Sequence, residues 1–85
     1  MKTKAISELE KIFKILGNKQ RLTILELLRS RSYSVSEIVD ILNMEQSAVS
    51  HQLRVLREAQ LVQAEKRGRE VLYYLSDSHI LILLD

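Results

Sequence analysis

Apolar residues at Ile6, Leu9, Phe13 and Leu16 are spaced three, four and three apart, which places them on one face of a helix over about Lys4 to Leu16. Gly17-Asn18 is expected to close that helix. A second helix, about Lys19 to Arg31, carries Leu22, Leu25 and Leu28 on one side, with Ile24 and Leu27 widening the stripe. Ser34-Val35-Ser36-Glu37 has the form of a capping box, in which a serine hydroxyl and a glutamate three residues later satisfy orphan amides. It predicts a short helix over about Val35 to Leu42, with Ile38, Val39 and Leu42 turned inward. Asn43-Met44-Glu45 reads as a turn, since asparagine tolerates left-handed backbone at little cost. A fourth helix follows from about Gln46 to Ala59.

After Ala59 the period changes. Leu61 to Glu65 and Glu70 to Leu75 are rich in Val, Leu and Tyr, and they flank Lys66-Arg67-Gly68-Arg69. This predicts a β-hairpin with glycine where the turn needs a positive φ. Ser76 or Asp77 is expected to cap a last helix that opens into the apolar run Ile80 to Leu84. The predicted class is mainly α with a β-hairpin, in the order ααααββα, as one domain over residues 1–85. A short helix, a tight turn, a longer helix and then a hairpin is a helix-turn-helix with a wing.

On the fourth helix Gln46, Ser47, Ser50, His51, Arg54, Arg57 and Glu58 share one arc, about 140° wide at 100° per residue. The apolar residues take the rest, together with Gln52, which therefore needs a buried partner. The first two turns of the polar arc carry no lysine or glutamate. Gln46, Ser47, Ser50, His51 and Arg54 are suited to base edges and phosphates, and a helix fits the major groove. Taken alone, a polar arc is also what any solvated amphipathic helix shows. Lys66, Arg67 and Arg69 around Gly68 suit flanking phosphates or a minor groove, although charged hairpin tips also serve solubility.

Composition narrows the chemistry. The chain has 85 residues and no cysteine, so disulfides, thiolate metal sites and cysteine nucleophiles are all excluded. So small a domain gains stability from association. The net charge of +2 decides little by itself. Ile80 to Leu84 is far shorter than the roughly 20 residues that span a bilayer, and Met1 to Glu10 lacks an apolar signal region. The expectation is a cytoplasmic protein with no membrane partner. No nucleophile–base pair, catalytic carboxylate pair or phosphate-binding glycine loop is visible, so an enzyme is not expected.

At these residues the chain resembles the ArsR/SmtB family of bacterial repressors. The resemblance runs through Phe13-Lys14-Ile15-Leu16-Gly17-Asn18, Arg21-Leu22-Thr23-Ile24-Leu25, Leu61-Val62, the Arg67-Gly68-Arg69 wing and Tyr74-Leu75. Its most specific piece is Gln46-Ser47-Ala48-Val49-Ser50-His51-Gln52-Leu53. Glu45 departs from the pattern, in which a serine often caps this helix. The resemblance implies a homodimer joined by the first and last helices, bound to double-stranded operator DNA at an imperfect inverted repeat, with repression relieved by an inducer. The apolar run Ile80 to Leu84 and the Ile6/Leu9/Phe13/Leu16 face support the dimer independently.

Asp77-Ser78-His79 is similar to the Asp-x-His pair of the zinc- and cobalt-sensing members, whose partner subunit adds two histidines from farther along the last helix. The resemblance implies a Zn2+ half-site at Asp77 and His79, with the remaining ligands beyond Asp85. Asp77 as a plain helix cap and His79 as a polar residue at a dimer seam form the competing reading. Tight zinc sites take four ligands, so these 85 residues are expected to bind zinc weakly or not at all and a longer form to bind it. His51 lacks a ligating partner at helical spacing and is assigned to DNA. The alternatives are a metal-independent repressor and a winged-helix protein-interaction module, the latter lacking the salt dependence of phosphate contacts.

Overall fold

In the computed structural model the described residues are 2–76, with side chains described from Ile6 onward. The expected last helix, the Ile80 to Leu84 run, Asp77 and His79 lie outside them. Four helices precede a hairpin: α1 (Lys2–Leu16), α2 (Lys19–Leu28), α3 (Val35–Leu42), α4 (Gln46–Glu58), β1 (Val62–Arg67) and β2 (Glu70–Leu75). The order agrees with the sequence expectation, and several junctions differ for local reasons.

Asn18 does not close α1. It starts α2 as its N-cap, its side-chain oxygen accepting from the Arg21 amide at 3.0 Å. Gly17 has no positive φ, since Gly68 is the glycine with one among the described residues. α2 stops at Leu28 rather than Arg31 because the next amides tighten to i→i−3 bonds, Arg29 to Glu26 and Ser30 to Leu27. The Ser30 hydroxyl donates to the same Leu27 carbonyl at 2.9 Å, which competes with further helix.

The capping box of α3 forms as expected. Ser34 Oγ accepts from the Glu37 amide at 3.2 Å, and Glu37 Oε1 accepts from the Ser34 amide at 2.9 Å. Asn43 takes the left-handed conformation at φ 53° and turns the chain into α4. The end of α4 holds a feature that residue types alone do not signal. Gln60 sits at φ 63°, its amide bonds to Arg57 O at 2.9 Å, and the Leu61 amide reaches back to Leu56 O at 2.9 Å. This is a Schellman closure made without glycine, and it delivers Leu61, 3% exposed, into the core.

The core is the meeting of α2, α3, α4 and the base of the hairpin. Ile24, Leu25, Ile38, Val49 and Leu56 are fully buried in it. β1 and β2 pair antiparallel from Val62↔Leu75 to Arg67↔Glu70, leaving Gly68-Arg69 as a two-residue turn. Gly68 has φ +62° and Arg69 has no positive φ, the II′ pattern that suits the twist of paired strands. Tyr33, in the α2–α3 connection, exchanges backbone hydrogen bonds with Tyr73 at 3.0 and 2.8 Å. That bridge adds backbone hydrogen bonds to the packing of Val62, Tyr73 and Leu75 that holds the wing on the helical core.

Candidate nucleic-acid interface

The placement of α4 is fixed from behind. Val49, Leu53 and Leu56 are at most 1% exposed and pack its inner face into the core. Gln52, 6% exposed, faces the same way, and the buried partner its position demands is present. Its Oε1 accepts from Arg21 Nε at 2.8 Å, and its Nε2 donates to Gln20 Oε1 at 2.9 Å. Arg21 also donates to the Ile15 carbonyl near the end of α1, at 3.2 Å. One guanidinium therefore joins the ends of α1 and α2 to the middle of α4. Glu45 stands at the N-cap of α4 and makes no side-chain cap bond, in line with its departure from the family pattern.

With the inner face so held, the outer face is free. Gln46, Ser47, Ser50, His51 and Arg54 are all exposed. Among the described residues none of their side chains makes a hydrogen bond or an ion pair. Arg57 and Glu58 continue this face at the helix end and are equally exposed. The result is a row of donors and acceptors with no internal partner, on a helix that cannot roll without breaking the Gln52 bonds.

The wing cations do not act as one cluster. Side chains alternate along a strand, so Lys66 shares a sheet face with Ala64, Val71 and Tyr73, whereas Arg67 projects from the opposite face. Arg67 Nε lies 3.5 Å from Glu65 Oε1, an exposed pair of small net worth that a phosphate can displace. Lys66 and Arg69 are exposed without such a partner among the described residues. Glu65 and Glu70 flank the same tip and lower its charge. That offset is readable in the sequence, and it makes the tip a weaker cationic patch than three neighbouring cations suggest.

Metal ligation finds no support in this part of the molecule. Among the described residues there is no group of three or more His, Cys, Asp or Glu able to hold an ion. No helix among them is long and apolar enough to cross a membrane.

A helix-turn-helix whose second helix presents unpaired polar side chains, followed by a hairpin carrying cations, defines the winged helix-turn-helix class. Residues 18–64 match the family model described as bacterial regulatory protein, arsR family, and the chain belongs to that family. It is similar to the HTH-type transcriptional regulator NmtR of Mycobacterium tuberculosis, 41% identical over 98% of this chain and 69% of NmtR. It is also similar to the transcriptional repressor SmtB homolog of Synechocystis, 34% identical over 89% of this chain and 58% of that protein. The chain thus spans 69% and 58% of the length of these two relatives. Among solved structures it resembles a homodimeric winged helix-turn-helix DNA-binding domain from Mycobacterium bovis, with a TM-score of 0.90 and 26% identity, covering 98% of this chain and 77% of that one. The first two of these relatives are transcriptional regulators by name.

Proposed function

We propose that this chain is a homodimeric repressor that binds operator DNA at an inverted repeat, each α4 entering a major groove and each wing meeting the flanking backbone. The observation that carries the reading is the outer face of α4. Gln46, Ser47, Ser50, His51 and Arg54 are exposed and unpartnered on a helix locked from behind by Leu53, Leu56 and the Gln52–Arg21 bond. Gln46 and Arg54 have the groups for bidentate pairing with adenine and guanine, while Ser47 and Ser50 suit phosphate. Lys66, Arg67 and Arg69 serve the backbone beside the groove. The exposed Ile6, Leu9 and Phe13 of α1 supply an apolar surface for the second copy, as the similarity to a homodimeric domain supports.

The test is fluorescence anisotropy against duplexes selected from a random library. Arg54→Ala should weaken binding by about 1–3 kcal/mol per half-site and relax preference at one base pair in each half-site. Unchanged affinity and preference would remove α4 as the reader. The finer reading is release by zinc or a related divalent ion through Asp77 and His79 as a half-site, and it rests on Asp77-Ser78-His79 and the similarity to the zinc- and cobalt-sensing members. Repeating the titration with excess zinc tests it: loss of DNA binding would show that Asp77 and His79 suffice, whereas unchanged binding would point to a metal-independent regulator or to ligands outside these 85 residues.

A further inference from the structure

An open notch of about 480 Å³ lies between the recognition helix and the wing, lined by Ser50, Arg54, Arg57, Glu58 and Tyr73. Ser50, Arg54 and Arg57 are spaced four and three apart, so they form one stripe along the edge of α4 that faces β2. Arg57 stands in the last turn, roughly 10 Å along the axis from Ser50. Tyr73 closes the other side from β2, on the sheet face that also carries Lys66 nearer the tip. Neither guanidinium has a hydrogen bond or an ion pair among the described residues. Neither the Ser50 nor the Tyr73 hydroxyl has a hydrogen-bond partner there. Two arginines, a serine and a tyrosine with no internal side-chain partner line one space, and their donors suit a phosphate oxyanion.

Geometry says what would fill that space. If α4 occupies a major groove and the hairpin reaches the adjacent minor groove, the sugar-phosphate ridge dividing the grooves must pass between helix and wing. The notch is that gap. Resting on the DNA-binding reading above, we infer that the notch clamps a backbone phosphate of the strand between the grooves, with Arg57 as the principal anchor and Ser50 and Tyr73 as its other donors, Arg54 at the groove side being left to the bases. Arg57 and Tyr73 then contribute affinity and register without reading sequence. Glu58, on the rim, opposes the phosphate and holds the affinity down.

Anisotropy titrations with a selected duplex and a scrambled duplex, each over a series of salt concentrations, test this directly. Arg57→Ala should weaken both complexes by the same factor, about tenfold, and lower the slope of log K against log salt by about 0.9 for each phosphate no longer neutralised. Arg57→Lys should restore most of the affinity, and Tyr73→Phe should weaken both complexes a few-fold. Glu58→Gln should tighten both, a gain that a misfolded variant cannot produce. Wild-type affinity and slope in Arg57→Ala would overturn the clamp, as would a loss confined to the selected duplex, because Arg57 would then be reading bases. A wild-type chain that binds neither duplex would overturn the DNA-binding reading itself, an outcome distinct from both of the others.

Discussion

Helices α1 and α4 are both amphipathic, of 15 and 13 residues, yet they end in opposite conditions. The apolar side of α4 is used up inside the chain, with Val49, Leu53 and Leu56 at most 1% exposed, and what it shows to solvent is polar. The apolar side of α1 is not used up. Ile12, Ile15 and Leu16 are half-buried, while Ile6, Leu9 and Phe13 are 65%, 51% and 62% exposed. A helix finished within its own chain can offer chemistry outward, whereas one with an uncovered apolar stripe needs a second surface. The first arrangement suits a polyanion and the second suits another copy of the chain. Arg21 joins the two, donating to the Ile15 carbonyl of α1 and to Gln52 of α4.

The sharpest way to break this contrast is to remove one apolar side chain from each helix. Leu53→Ala should destabilise the fold by about 2–5 kcal/mol, because it opens a cavity in a packed core. Urea denaturation would show that loss at every protein concentration. Phe13→Ala should act through association instead, raising the dimer dissociation constant by roughly 100-fold or more, because a symmetric dimer loses two phenylalanine side chains, each worth about 1.5–3 kcal/mol when buried. Sedimentation equilibrium reads that constant. An unchanged constant would mean that something other than a second copy covers α1.

The two helices also differ in how readily the sequence discloses them. The spacing of apolar residues marks both, and it even singles out Gln52 as a polar residue on the wrong face. It cannot name Arg21 or Gln20 as the partners, because those residues lie 31 and 32 positions away and meet Gln52 only once α2 and α4 pack. The Tyr33–Tyr73 bridge escapes the sequence for a related reason, since a single paired residue has no periodicity to detect. Local chemistry fares better. Ser34, Glu37, Asn43 and Gly68 each do what their residue types favour. Asn18 and Gly17 do not, because an asparagine beside a helix end can equally begin the next helix. The reading face is legible as residue types in an arc. Its continuation into the notch is not, because Tyr73 reaches the side of Arg57 and Ser50 only through the fold of the wing.

A smaller change probes the bond between the two helices. Gln52→Leu keeps the buried volume near its original value but leaves the Arg21 Nε and the Gln20 side-chain oxygen without their partner. Stranding such groups costs about 1–3 kcal/mol. The loss should appear in the urea midpoint and should accompany a fall in DNA affinity, because the bond that fixes the roll of α4 is then missing. A loss of stability with full DNA affinity would mean that the packing of Leu53 and Leu56 orients α4 unaided.

The smallest effect concerns the support behind α4. With Glu45 making no side-chain cap, the start of α4 depends on the turn at Asn43 and on α3, whose own start is pinned by Glu37. The amide of Ser34 donates to the Glu37 carboxylate and, together with a hydrogen bond from Arg31 at 3.3 Å, holds its pKa below the ordinary glutamate value. A carboxylate depressed on folding adds stability that is fully present above its unfolded pKa, near 4.3, and is lost as pH falls through the lower folded value. Glu37→Gln keeps a side chain able to serve in the capping box but removes the charge. The stability difference between wild type and Glu37→Gln should therefore hold steady above about pH 5 and shrink as the pH is lowered past the ordinary glutamate range. Urea midpoints for both proteins between about pH 6 and pH 3 would show it. Two curves that stay parallel across that window would mean that the charge of Glu37 adds nothing, and that hydrogen bonding alone starts the helix on which α4 rests.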